Sequence, residues 1–164
     1  MTSIASELRE LVVGATPRLL ALSDARVSGK PYAEKWSLKE VLGHLIDSAS
    51  NNHQRFVRMQ LQSDIGTFSY KQDEWNSVQK YHQEHWGDLV ELWAHYNKHL
   101  AHVIEHVDAG SLNNVCDTGY PNPAKLSFVM EDYVRHVRHH LDQILSGTDP
   151  RERMTWVRRD PKGE

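Results

Sequence analysis

The stretch SLKEVLGHLIDSASNNHQRFVRMQL, residues 37–61, decides the fold class of this chain. It begins with Ser37 and Glu40, a serine followed three residues later by a glutamate, which is the capping-box pattern of a helix N-terminus. Apolar side chains then recur at helical spacing, and they are Leu38, Val41, Leu42, Leu45, Ala49, Phe56 and Met59. The stretch therefore predicts one amphipathic helix of about seven turns with a buried apolar face.

Three other segments show the same periodicity and complete a predicted all-α fold. A helix over residues 3–25, with Ser3 as its N-cap, should be kinked or split by Pro17 because proline has no backbone N–H. The other two helices are predicted over residues 81–107 and 127–146. Ser127 is the predicted N-cap of the last helix. Four amphipathic helices of this length favour a four-helix bundle, an architecture that builds metal sites from inward-facing side chains.

The connections at 63–79 and 108–125 contain glycine and, in the second, proline, and they show no strand-like alternation. We therefore predict long loops there, with no more than a short helical turn in the first. We predict a single domain over residues 1–148, followed by a C-terminal tail over residues 149–164.

The composition argues against several classes of function. The net charge is −3 at pH 7 and the Lys and Arg residues are scattered, which argues against nucleic-acid binding. Cys116 is the single cysteine, so no intrachain disulfide or thiolate cluster can form. No apolar run reaches the ~18 residues of a membrane span, and the N-terminus does not resemble a signal peptide. We expect a cytoplasmic protein that binds neither nucleic acid nor a membrane.

Histidine is the residue type most suggestive of chemistry. His136 and His140 lie four residues apart on one face of the last predicted helix, so both imidazoles can reach one metal ion. His44 lies at the edge of the apolar face of the helix over residues 37–61 and could supply a third ligand. Three neutral imidazoles with an open position are typical of a catalytic metal site. A hydrogen-bonded histidine without metal is the alternative at each of these positions.

A polar line follows His44 along the same helix. It consists of Ser48, Asn51 and Arg55, which packing of the apolar face does not require. We predict that these residues wall a pocket next to the histidines, with Arg55 within reach of the anionic end of a ligand. Asp47, one helical step from His44, is the nearest candidate for a general base.

A second histidine pattern, H-x3-H-x2-H-x3-H, lies on the helix over residues 81–107. It consists of His95, His99, His102 and His106. These positions are opposite Trp93, Leu100 and Ile104, so we expect them to face solvent or a partner subunit, where they could still bind a divalent metal adventitiously. His53 is predicted to point away from the core face of its helix, and no chemistry is assigned to it.

Three motifs resemble the DinB-like superfamily. They are WSLKEVLGHLIDS at residues 36–48, YKQDEW at residues 70–75 and DYVRHVRHHLDQI at residues 132–144. The resemblance covers nearly the whole chain and is strongest to the branch of YfiT-type metal-dependent hydrolases. It implies a four-helix bundle in up-down-down-up order, commonly a homodimer, with a divalent nickel, zinc or iron ion on three histidines. The matching positions here are His44, His136 and His140.

The resemblance leaves three functions open, and each enzymatic one implies a small-molecule substrate. In a metal-dependent hydrolase, the ion would lower the pKa of a coordinated water toward neutrality. Relatives also include transferases that use a low-molecular-weight thiol, whose thiolate the same site would stabilise and whose carboxylates Arg55 could bind. The third is a dimeric bundle that binds metal without turnover.

Overall fold

Long helices make up most of the structure, a computed structural model that describes residues 1–32, 34–119 and 122–146. In chain order the helices are α1 (Thr2–Leu20), α2 (Asp24–Ser28), α3 (Leu38–Leu61), α4 (Gln72–Gln79), α5 (Trp86–Glu105) and α6 (Leu126–Ser146). The strands are β1 (Asp64–Thr67), β2 (Val115–Asp117) and β3 (Ala124–Lys125), and short 3₁₀ turns cover Tyr81–Gln83 and Ala109–Ser111. The four long helices α1, α3, α5 and α6 confirm the predicted four-helix bundle. The predicted tail over residues 149–164 lies outside the described residues.

One core fills the space between the four long helices. In α1 the buried positions recur every three or four residues, and they are Ala5, Leu8, Val12, Ala15 and Leu19. The largest fully buried side chains include Phe56 of α3, Trp93 of α5 and Tyr133 of α6. Burying an apolar side chain of this size stabilises the fold by about 1.5–3 kcal/mol, so these contacts hold the bundle together. None of the helices in the described ranges is long and apolar enough to cross a membrane.

The small sheet shows how the long helices are oriented. β1 follows α3, β2 follows α5, and the two strands pair in parallel, so α3 and α5 end at the same end of the bundle. β3 pairs antiparallel with β2 and leads directly into α6, which therefore starts at that end and runs the opposite way. Arg9 in the first half of α1 pairs with Glu105 at the end of α5 at 2.6 Å, and Trp86 at the start of α5 donates to the Leu19 carbonyl near the end of α1, so α1 and α5 run in opposite directions. The helices thus follow the predicted up-down-down-up order.

Two predictions about the first helix, its N-cap and its end, were wrong, and Pro17 was predicted to kink or split it. α1 begins at Thr2 with Met1 as its N-cap, so Ser3 lies inside the helix, and α1 ends at Leu20 rather than at residue 25. Pro17 does not split it, because Pro17 lies on the exposed face. The carbonyl group that loses its N–H partner there can bind water instead.

The prediction that the connections are loops without strands was also wrong, and the first connection holds the eight-residue helix α4 where a short helical turn was predicted. The three strands have four, three and two residues, which is too short to show an alternating pattern in the sequence. Their pairing depends on α3 and α5 ending side by side, which no local pattern reveals. The boundaries of the last two helices differ slightly from the prediction: α5 begins at Trp86, after a separate 3₁₀ turn, and Ser127 is the second residue of α6 and not its cap.

Candidate metal centre

The start of α3 places His44. The Ser37 hydroxyl accepts a hydrogen bond from the Glu40 backbone N–H at 3.3 Å, and the Ser37 N–H donates to Glu40 Oε2 at 2.7 Å. The predicted capping box is therefore confirmed, and α3 begins immediately after Ser37. His44 follows about two turns later on a side of α3 that faces α6, and only 2% of its surface is exposed.

Packing of α3 against α6 brings His44, His136 and His140 together. Nε2 of His44 lies 3.1 Å from Nε2 of His136. The ring centroids are 5.1 Å apart for His44 and His136, 4.9 Å for His44 and His140, and 4.6 Å for His136 and His140. One ligand nitrogen of each residue lies within 4.8 Å of the other two, so the three side chains could hold one metal ion.

The three imidazoles are neutral at pH 7. Burial, with a smaller contribution from the neighbouring His140, lowers the pKa of His44 to about 3. Burial likewise lowers the pKa of His140 to about 4, although the hydrogen bond with Gln143 opposes the change. The pKa of His136 is well below its usual value because of burial and the other histidines of the cluster. Each ring therefore keeps a lone pair that can bind a metal.

The surroundings of the rings fit a divalent ion. Two nitrogens bound to one tetrahedral zinc ion are about 3.3 Å apart, close to the separation between His44 and His136. Nδ1–H of His140 donates to Gln143 Oε1 at 2.8 Å, the kind of outer hydrogen bond that orients a ligand histidine. Nδ1 of His44 is buried without a partner among the described residues, and the Trp36 ring lies 5.3 Å from the His44 ring.

Asp47, the predicted base, lies one turn after His44 with 3% of its surface exposed. Its Oδ1 accepts hydrogen bonds from the Tyr81 hydroxyl at 2.7 Å and from Gln79 Nε2 at 2.6 Å. Its Oδ2 is buried and has no hydrogen-bond partner in the described ranges. Burial raises the pKa of Asp47, and the two hydrogen bonds oppose this rise. Asp47 is thus held by the end of α4 and the following turn.

Tyr81 can reach Asp47 only because residue 43 is glycine. A Cβ atom at Gly43 would lie 2.2 Å from Cδ2 of the Tyr81 ring, far inside van der Waals contact. Sequence analysis missed the roles of Tyr81 and Gln79, which lie in a segment predicted as loop and helix start. The one available signal was a glycine inside an otherwise strongly predicted helix, which often marks a close approach by another group.

Ser48 and Asn51, predicted to wall a pocket, are buried on α3. Their hydrogen bonds are largely local: Asn51 Nδ2 donates to the Asp47 carbonyl at 2.9 Å. Asn52 Nδ2 donates to the carbonyl and the hydroxyl of Ser48 at 2.9 and 3.3 Å. All of these hydrogen bonds lie within α3.

Arg55 folds back against the protein. Its Nε and Nη2 groups both donate to the Phe68 carbonyl, and Nη1 donates to Asn52 Oδ1 at 3.2 Å. Burial lowers its pKa, but arginine keeps its charge at neutral pH. No carboxylate in the described part of the chain forms an ion pair with it. Its hydrogen bonds thus go to uncharged oxygens, although the more distant Asp132 also stabilises its charge.

The second histidine group is exposed, as predicted, and comprises His95, His99, His102 and His106. The interpretation of His53 needs correction, because this half-buried ring packs between α3 and α5. Its centroid lies 5.1 Å from that of His99, and its Nδ1 lies 3.2 Å from the Tyr96 hydroxyl.

Comparisons with known proteins agree with this architecture. A family model for the DinB superfamily matches residues 10–144. Relatives from Bacillus mycoides (strain KBAB4) and Bacillus cereus (strain AH820) are 26% and 27% identical over 123 residues, which cover 74% of this chain and 68% of each relative. Both are named "Putative metal-dependent hydrolase". The solved structure of YfiT from Bacillus subtilis, described as "a probable metal-dependent hydrolase with an unusual four-helix bundle topology", matches with a TM-score of 0.76 and 16% identity, covering 88% of this chain and 83% of that one. This last match supports the fold.

Proposed function

The chain belongs to the DinB superfamily, and we propose that it is a metal-dependent hydrolase whose divalent ion is held by His44, His136 and His140. The observation that carries the proposal is the convergence of three imidazoles from two helices, one buried and two half-buried, with two Nε2 atoms 3.1 Å apart. The names of the Bacillus relatives favour the same activity.

An ion in this position supplies a Lewis acid and lets water act as a nucleophile near neutral pH. The chain's own residues prepare the position. Burial keeps protons off the three histidines, and Gln143 holds the proton of His140 at Nδ1 so that Nε2 faces the cluster. The Trp36 ring beside His44 shields that imidazole from solvent.

Asp47 is our candidate for the proton acceptor. Oδ1 is saturated by Tyr81 and Gln79, so a proton from the reaction would go to the unpartnered Oδ2. The raised pKa suits a general base, which works best when its pKa is close to the ambient pH. The competing role is structural, in which Asp47 fixes the turn after α4.

The substrate is proposed to be a small molecule with an anionic group. Ser48, Asn51 and Arg55 follow His44 along α3, and no carboxylate among the described residues lies within ion-pair distance of the guanidinium. Arg55 lies about 16 Å along the helix axis from His44, too far to bind the same ion. It would instead hold a carboxylate or phosphate at the far end of the substrate, with Ser48 and Asn51 between.

The test uses protein purified without an affinity tag and loaded with zinc, nickel or iron(II). Hydrolysis of small esters and amides is measured, each with and without a carboxylate. His136→Ala and His140→Ala should lose the bound ion and the activity together, whereas His95→Ala, an exposed histidine on α5, should keep both. A full equivalent of ion in the variant lacking all three ligands would refute the assignment.

A thiol-dependent transferase is the second candidate, favoured by the same Arg55, which has no carboxylate within ion-pair distance among the described residues. Low-molecular-weight thiols that serve as cofactors carry carboxylates, which a guanidinium binds well. In this reaction the thiol loses its proton, and its sulfur bonds to an electrophilic carbon as the leaving group departs. Mass spectrometry of the loaded protein incubated with an electrophile, with and without thiol, distinguishes a thioether product from a hydrolysed one.

The identity of the ion, the homodimer and the cytoplasmic location stay predictions, as does the third alternative of a bundle that binds metal without turnover. Elemental analysis of tag-free protein would identify the ion, and light scattering coupled to size-exclusion chromatography would give the number of subunits.

A further inference from the structure

The end of α5 carries a second group of metal-binding side chains. His102 and His106 are separated by four residues, and Glu105 lies between them. One ligand atom from each of the three lies within 4.8 Å of the other two. The ring centroids of the two histidines are 4.2 Å apart. Two imidazoles and a carboxylate are ligands that zinc, nickel and copper accept.

The local structure prepares this group for a cation. Nδ1 of His106 lies 2.9 Å from the His102 carbonyl, so Nδ1–H donates there and Nε2 keeps its lone pair. His102 is in the last turn of α5, and His106 is its C-cap. The carbonyl groups that lack partners at a helix C-terminus carry partial negative charge, which favours a cation at this place.

Arg9 of α1 competes for the carboxylate. Its Nη2 and Nη1 donate to the two oxygens of Glu105 at 2.6 and 3.3 Å. This contact keeps Glu105 ionised, yet it places a positive charge beside the position that an ion would take. Glu105 is therefore available as a ligand only at the cost of weakening its pairing with Arg9.

The group is separate from the buried cluster. His53 follows His44 by nine residues, about two and a half helical turns, so the two lie on opposite sides of α3. His44 faces α6, whereas His53 packs against His99 of α5 on the side that leads to His102. The two groups therefore belong to different faces of the bundle.

We propose that His102, His106 and Glu105 form a second, surface binding site for a transition-metal ion such as Zn²⁺, weaker than the site at the buried histidines. The solvent-exposed histidines bind the ion as an i, i+4 pair, and Glu105 completes the set when Arg9 releases it. The site takes up and exchanges ions readily because solvent reaches it directly.

The proposal is tested by titrating the full, tag-free chain with Zn²⁺ in a calorimeter. Two classes of site are expected. The weaker class should be the surface site. Loss of a residue that only hydrogen-bonds to a metal ligand weakens metal binding about 10- to 100-fold, so replacing both ligands themselves in His102→Gln/His106→Gln should weaken zinc binding at the surface site by at least that factor. His95→Gln is the matched control, since His95 is an exposed histidine on the same helix whose Nδ1 also hydrogen-bonds to a carbonyl, that of Glu91.

Arg9→Gln supplies an independent readout. It frees the Glu105 carboxylate, so zinc should bind more tightly at the surface site and with unchanged affinity at the buried histidines. Titration of His140→Ala isolates the surface site, so its result does not depend on the buried one. Circular dichroism checks that the variants are folded. The single variants His102→Gln and His106→Gln are titrated in the same way, and each alters the protein less than the double variant does. Absence of zinc binding in His140→Ala, or binding there that survives the added replacement of His102 and His106 by glutamine, would overturn the proposal.

Discussion

Replacing Gly43 with alanine tests how Tyr81 and Asp47 are held beside the buried histidines. The new Cβ would lie 2.2 Å from Cδ2 and 2.3 Å from Cγ of the Tyr81 ring. Carbon atoms prefer separations of about 3.5–4.0 Å, so the ring must retreat by about 1.3 Å or more. A movement of that size would stretch the hydrogen bond from Tyr81 to Asp47, now 2.7 Å, beyond its useful range.

The expected loss of stability is about 2–5 kcal/mol. Overpacking a core costs roughly 1–3 kcal/mol, and a lost hydrogen bond to a charged group costs about 1.5–3 kcal/mol. Alanine in place of glycine inside a helix returns about 0.5–1 kcal/mol. The losses exceed the gain because the clash involves an aromatic ring that is itself buried against the core.

Gly14 provides the matched control. It lies within α1, and a Cβ atom there would meet nothing within 4 Å. Gly14→Ala should therefore stabilise the protein by about 0.5–1 kcal/mol. Equilibrium unfolding in urea, followed by circular dichroism with a chelator present so that metal binding does not contribute, measures both changes.

A double-mutant cycle assigns the effect to Tyr81. In a Tyr81→Ala background the clash is gone, so Gly43→Ala should be neutral or stabilising, with a coupling energy of at least about 1 kcal/mol. The reasoning fails if Gly43→Ala stabilises the chain as much as Gly14→Ala, or if its cost persists without Tyr81.

Three further substitutions test the site. His140→Ala should remove most of the bound metal by elemental analysis; an unchanged content would contradict its role as ligand. Glu40→Gln should cost about 1 kcal/mol at pH 7, because glutamine can still close the capping box but the charge that strengthens the hydrogen bonds from Ser37 and Lys30 is lost. Burial raises the pKa of Glu40, but hydrogen bonds from Ser37 and Lys30 outweigh it and lower the folded-state pKa below 4.5. The stability that the Glu40 carboxylate contributes is therefore present above pH 4.5 and is lost as the pH falls through the folded-state pKa. Urea titrations should therefore show the two proteins converging in acid, and a constant difference would argue against the carboxylate. Arg55→Lys should keep the metal and lower the free energy of unfolding by about 1 kcal/mol, because hydrogen bonds to the Phe68 carbonyl are lost. Calorimetry should show weaker binding of an anionic substrate analogue to this variant, whereas a neutral analogue should bind equally well to both proteins.

The long helices could be predicted because their signals are local. The capping box of Ser37 and Glu40 and the apolar period of residues 37–61 predicted α3 to within one residue at each end. The spacing of His136 and His140 likewise places them on one face of α6 without any knowledge of the rest of the chain.

Boundaries and short elements were harder to predict because solvent and distant neighbours decide them. Pro17 is accommodated in α1 by its exposed position. The strands β1 and β2 exist because α3 and α5 end side by side, and their four and three residues show no period of their own.

The amino-acid sequence by itself determined the four amphipathic helices and which histidines could share a helix face, since these depend on residues within one or two turns. Only the tertiary structure decided that His44 meets His136, 92 residues away, at 3.1 Å, and that Tyr81 crosses Gly43 to reach Asp47. It also decided that Arg55 turns inward to the Phe68 carbonyl and that His53 packs against α5. These contacts depend on how the apolar faces interlock around one core, and helical periodicity specifies the faces but not their partners.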